Sequence, residues 1–283
     1  MKMRIISALI GLPLVGVVLY FNNTIILNIA VALIAALAVY EVLYNTKYVS
    51  EPALIAICLI YTLTVPFSHM EVLKPYALLI TMLFVAALLI VLFVKHNSLP
   101  FTKIAVCFTG TMFVSFAMSS IVFIRDMQTD DKKVGLGLYL VVLVFICAWI
   151  SDSGAYFIGR AFGRHKLAPT ISPKKTIEGA IGGVVFCVIF TIAFTYVYFD
   201  IVKGQGLSAD INLLNLVIVS FVASLVGIVG DLTASIIKRQ TGIKDFGNLL
   251  PGHGGAMDRF DSIMMIAPFM YVLLQIFGVV AVG

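Results

Sequence analysis

Asp231, Ser235 and Lys238 stand at positions i, i+4 and i+7, so a helix through them carries all three on one face, with Arg239 as a second cation at its end. The run from Lys244 and Asp245 through Phe246, Gly247, Asn248, Leu249, Leu250, Pro251, Gly252, His253 and Gly254 to Gly255 follows, and its four glycines let backbone come close to a ligand. The block closes with Asp258, Arg259, Phe260 and Asp261. If a helix begins there, Asp258 and Asp261 share a face. Two carboxylates facing Asp231 across a helix gap would disfavour one another unless a cation sat between them. Carboxylates beside phosphate-binding cations suit Mg²⁺ and phosphoryl chemistry. The run lacks the Gly-Lys-Ser/Thr of a Walker A loop. Zinc is not expected, because His253 is the block's lone histidine and no cysteine is near. For His253 itself, a loop hydrogen bond and a catalytic role stand equal.

A second block lies upstream. Asp152 falls toward the end of an apolar stretch among Ser151, Ser153, Gly154 and Ala155, and small neighbours permit close approach of a helix or a ligand. The chain then turns basic and glycine-punctuated through Gly159, Arg160, Gly163, Arg164, His165 and Lys166. Ser172 before Pro173 reads as a helix N-cap with proline at the first helical position. Lys174 and Lys175 are point charges suited to phosphates, with a membrane anchor as the competing reading.

The elements that must position these groups are membrane helices. Of 283 residues, 61% are apolar and 12% charged, and mean hydropathy is +1.09. A soluble domain would be about half apolar and a quarter charged, so a soluble globular enzyme, a disordered chain and a fibrous repeat are all excluded. The expected fold is all-α and polytopic. About nine transmembrane helices are expected, near 5–21, 24–44, 52–68, 75–94, 104–124, 136–158, 179–199, 212–237 and 262–282. Cys58, Cys107, Cys147 and Cys187 all sit in apolar stretches without CxxC spacing and read as small buried hydrophobes.

Alternating the loops puts Lys2, Arg4, Lys47, Lys95, Lys103, Arg160, Arg164, Lys166, Lys174, Lys175, Lys238, Arg239, Lys244 and Arg259 on one side. Lys74, Arg125, Lys132, Lys133 and Lys203 fall on the other. Fourteen against five places the first side in the cytoplasm. The net charge of +5 is therefore topological and is not the footprint of a nucleic-acid partner. Residues 1–150 read as lipid-facing helices, and residues 151–283 as the catalytic region. Residues 151–261 hold eight of fourteen acids and ten of nineteen Lys and Arg, and near a bilayer each needs water, a partner or a ligand. Glu41, late in the second apolar stretch, is either an interfacial carboxylate or a group with a role inside the bundle.

Residues 235–262 resemble the signature of the phosphatidate cytidylyltransferases, the CDP-diacylglycerol synthases. The pattern is Ser-x-x-Lys-Arg, four residues, Lys-Asp, then His-Gly-Gly-x-x-Asp-Arg-x-Asp. Ser235, Lys238, Arg239, Lys244, Asp245, His253, Gly254, Gly255, Asp258, Arg259 and Asp261 fit it position by position. Asp152, Gly154, Ala155, Tyr156, Gly159, Arg160, Gly163, Ser172 to Thr176, Glu178 and Gly179 extend the resemblance, while Ile177 stands where an aromatic is common.

The resemblance implies that CTP and phosphatidic acid react to give CDP-diacylglycerol and pyrophosphate. On it, Asp231, Asp258 and Asp261, joined by Asp152, are assigned to Mg²⁺, with room for a second cation. Lys238, Arg239, Lys244 and Arg259 go to phosphates, and Lys174 and Lys175 to the lipid phosphate or the triphosphate. Gly252, Gly254 and Gly255 would let backbone approach CTP, and Asp245 and Asn248 are candidates for reading the base. The implied setting is a bacterial-type inner membrane, with the site facing the cytoplasm, membrane lipids as partners, and homodimerisation left open. The alternatives are a CTP-dependent lipid-alcohol kinase, which would release CDP, and a cation-coupled transporter. Clustering of charge at one membrane face argues against the transporter.

Overall fold

A computed structural model describes residues 13, 15–127, 135–203, 209–247 and 254–282. The chain is an all-α polytopic membrane protein. Among the described residues, seven helices are long and apolar enough to cross a membrane, joined by a shorter apolar helical stretch over Pro52–Phe67. The expected helix at 5–21 falls largely outside the described residues, although 15–20 are helical.

The helices are α1 (Ile25–Tyr40), α2 (Pro52–Thr64), α3 (Ala77–Val94), α4 (Phe101–Asp126), α5 (Leu136–Phe162), α6 (Ile177–Lys203), α7 (Leu213–Thr241) and α8 (Met257–Ile276). Among the described residues there are also four short strands: β1 (Lys166–Ala168), β2 (Ser172–Thr176), β3 (Ala209–Ile211) and β4 (Val280–Val282). They pair antiparallel as β1 with β2 and β3 with β4.

Two differences from the sequence expectation concern helix ends. The last helix stops at Ile276, not 282. Gly278 follows, its carbonyl accepts from Asn215 Nδ2 at 2.9 Å, and the β-branched end of the chain pairs with β3. Ser172 is not an N-cap either. It opens β2, and the cap of α6 is Thr176, whose Oγ1 accepts from the Gly179 amide at 3.2 Å. Pro173 is tolerated in β2 because a two-stranded hairpin leaves an edge that needs no amide donor.

The described chain forms two compact units. One comprises residues 1–123 and 238–260, the other 124–237 and 261–283. Each is discontinuous, because the signature block contributes to both.

In the first unit, α1 ends in a π-helical turn over Glu41–Asn45. Its buried Asn28 donates to the Pro66 carbonyl at 2.7 Å, which satisfies a polar group that lipid could not. Tyr61 stacks on Phe84 with centroids 4.2 Å apart, and Ser115 Oγ donates to Thr62 Oγ1 at 2.9 Å. In the second unit, α5 and α6 pack backbone to backbone. A Cβ at Gly183 would stand 2.7 Å from the Ser151 carbonyl, and one at Gly179 would stand 2.7 Å from that of Ala155. Helices in lipid gain from such close approach because no hydrophobic effect drives them together. All four cysteines are buried and free, as the sequence suggested.

Candidate functional site

In the second unit, α5 carries Asp152, β2 carries Lys174 and Lys175, α7 carries Asp231 and Ser235, and α8 carries Asp261. The β1–β2 hairpin is fastened to the start of α6 by Glu178, whose carboxylate accepts from the amides of Arg164 at 3.1 Å and His165 at 3.2 Å. That fastening aims the two lysines. Lys175 forms an ion pair with Asp231, both side chains about a quarter exposed at 28% and 25%. Lys174 points outward and is exposed.

Asp152 Oδ2 accepts at 3.0 Å from the hydroxyl of Ser262, the residue that follows Asp261. Asp261 in turn accepts from the Ser262 amide at 2.8 Å. A Cβ at Gly230 would stand 2.8 Å from the Asp261 carbonyl, so α7 and α8 touch where Asp231 and Asp261 emerge. The charges of Asp231 and Lys175 both act on Asp152. Three acids and a lysine from four elements thus share one neighbourhood. Ser235 lies one turn beyond Asp231 on α7 and is half-buried.

In the first unit, Asp258 is the hub. Its Oδ1 accepts from Lys238 Nζ at 2.9 Å, and its Oδ2 accepts from the amides of Phe246 at 2.7 Å and Gly255 at 3.0 Å. Lys238 Nζ also lies 5.4 Å from the centre of the Phe246 ring. Gly254 has φ of +85°, and a Cβ there would stand 3.0 Å from Asp258 Oδ2, so glycine answers both the backbone and the space. Lys244, Asp245, Arg239 and Arg259 are exposed, and Gly255 is buried. Asn248, Gly252 and His253 lie outside the described residues.

One participant went unrecognised among the candidate site residues. Glu41, 4% exposed, accepts from the amides of Ala256 at 3.0 Å and Met257 at 2.9 Å. Its signal was a lone acid in an apolar stretch, which by itself reads equally as an interfacial group.

Among the described residues, no three His, Cys, Asp or Glu side chains stand close enough to cage a metal. Mg²⁺ does not require such a cage. It keeps several waters and is commonly held by one or two carboxylates and the substrate's phosphates. The oxygen donors of Asp152, Asp231 and Asp261 fit that chemistry.

These features define a class, the polytopic membrane proteins in which acids and bases from helix ends and adjoining loops are brought together. Residues 2–277 match the model of the cytidylyltransferase family. A phosphatidate cytidylyltransferase of Staphylococcus epidermidis strain RP62A is 34% identical over 278 residues, covering 97% of this chain and 99% of the relative. That of Staphylococcus aureus strain COL is 34% identical over 280 residues, 97% and 99% of the two chains. That of Bacillus subtilis strain 168 is 30% identical over 282 residues, 98% and 99%. The chain belongs to the cytidylyltransferase family.

Proposed function

We propose that this protein transfers the cytidylyl group of CTP to phosphatidic acid. The observation that carries the reading is the near-full-length likeness to phosphatidate cytidylyltransferases. The lipid phosphate is an anionic nucleophile at neutral pH, so no strong base is needed. One of its oxygens attacks the α-phosphorus. The bond from that phosphorus to the α,β-bridging oxygen breaks, and pyrophosphate leaves with the electron pair. The products are CDP-diacylglycerol and pyrophosphate.

The protein's work is alignment and neutralisation of charge. One or two of the carboxylates of Asp152, Asp231 and Asp261 would hold Mg²⁺, which when bound would neutralise phosphate charge. Asp258, which the resemblance also assigns to the cation, already binds Lys238 and two amides through its oxygens, so it also shapes the residues beside it. Lys175 can leave Asp231 for a phosphate when substrate and cation arrive. Lys174, Arg239, Lys244 and Arg259, all exposed, would meet the anionic groups of the substrates. The excess of Lys and Arg on one set of loops supports a site facing the cytoplasm of a bacterial cell.

The test is incubation of the purified protein with CTP labelled at the α-phosphate, Mg²⁺ and phosphatidic acid. Label entering the lipid phase is expected. Label remaining in soluble CDP would instead identify a lipid-alcohol kinase.

A further inference from the structure

Glu41 and Asn45 begin and end the π-helical turn after α1, far in sequence from the signature block. Asn45 Nδ2 donates to the Phe246 carbonyl at 2.7 Å. Glu41 uses both oxygens on the amides of Ala256 and Met257, which open α8 and have no acceptor within that helix. A carboxylate there also meets the positive end of the helix dipole. One helical turn thereby grips the glycine segment on both sides, at 246 and at 256–257. The glycines fit this grip: a Cβ at Gly247 or at Gly255 would overlap the Glu41 carboxylate.

We propose that Glu41 is a positioning residue for the nucleotide, with Asn45 as its companion. It holds residues 246–247 and 254–257 in the shape that receives CTP before CTP arrives. The inference rests on the reading of this chain as an enzyme that uses CTP. Preset amide directions lower the cost of ordering the segment on binding, so their loss should appear in the KM for CTP. A purely structural role would reduce the amount of active protein and leave both KM values unmoved.

The experiment is steady-state transfer from α-labelled CTP by the full chain in vesicles containing phosphatidic acid. Glu41→Gln keeps size but turns one acceptor into a donor facing an N–H. It should lower kcat/KM for CTP about ten- to a hundredfold, mainly through KM. The KM for phosphatidic acid should stay within about twofold. Asn45→Ala, which removes one hydrogen bond and little volume, should move the same parameter and carries the test if Glu41→Gln does not fold. Gly255→Ala should impair CTP use in the parent chain and add little in a Glu41→Ala background, because the atoms it strikes are gone. A parent protein that moves no label into lipid would sink the functional reading and this inference with it. A parent that transfers label while Glu41→Gln and Asn45→Ala keep the parent KM for CTP would overturn the inference alone. So would a full additive cost of Gly255→Ala without Glu41.

Discussion

Lys238 Nζ stands 2.9 Å from Asp258 Oδ1, and the two side chains are only 16% and 5% exposed. A pair so shielded has given up most of its hydration, and its attraction offsets that cost only because the remaining carboxylate oxygen is also bonded. Removing Lys238 leaves the Asp258 charge buried without its counter-ion. Lys238→Met is therefore expected to destabilise the protein by about 3–5 kcal/mol and to abolish transfer. Thermal unfolding in detergent, read beside activity, checks both. An unchanged midpoint would show that the pair does not hold the segment.

Asp231→Asn is expected to behave differently. Its partner Lys175 is about a quarter exposed and can turn to water, so folding should change little. Turnover should fall by orders of magnitude, since a proposed Mg²⁺ ligand is lost. Turnover near the parent's at saturating Mg²⁺ would remove Asp231 from the metal assignment.

Arg259 is exposed in the first turn of α8, between Asp258 and Asp261. A neighbour on a helix points about 100° away, so its fork leaves the carboxylate face. Two parallel bonds to a phosphate suit arginine and not lysine. Arg259→Ala and Arg259→Lys should both lose about ten- to a hundredfold in rate. Recovery by Lys to within about threefold would reduce the role to simple charge.

Single cysteines at Arg164, Lys174 or Lys244 report sidedness once the four buried native cysteines are replaced. Labelling by an impermeant thiol reagent is expected only from the cytoplasmic side. Labelling from outside intact cells would reverse the orientation inferred from charge.

Gly183→Leu tests the α5–α6 contact. A side chain there strikes the Ser151 carbonyl and Ala155, and backbone cannot yield cheaply. Destabilisation of roughly 1–3 kcal/mol is expected from overpacking, read as a lower unfolding midpoint in detergent. An unchanged midpoint would mean that the helices separate freely.

The amino-acid sequence alone determined that the chain is an all-α membrane protein. Long apolar runs report burial in lipid residue by residue, and hydropathy needs no knowledge of neighbours. It also placed Asp231, Ser235 and Lys238 on one helix, and Asp258 with Asp261 on another, because helical spacing is local. Helix ends were less legible. Ser172-Pro173 has the chemistry of a cap, and only pairing with β1 made it a strand. The tertiary structure alone decided that Lys175 meets Asp231, that Ser262 reaches Asp152, and that Glu41 closes on Ala256 and Met257. Those contacts join residues 56, 110 and more than 200 positions apart. No periodicity encodes them, because they arise from which helices pack together and how closely their small residues let them approach.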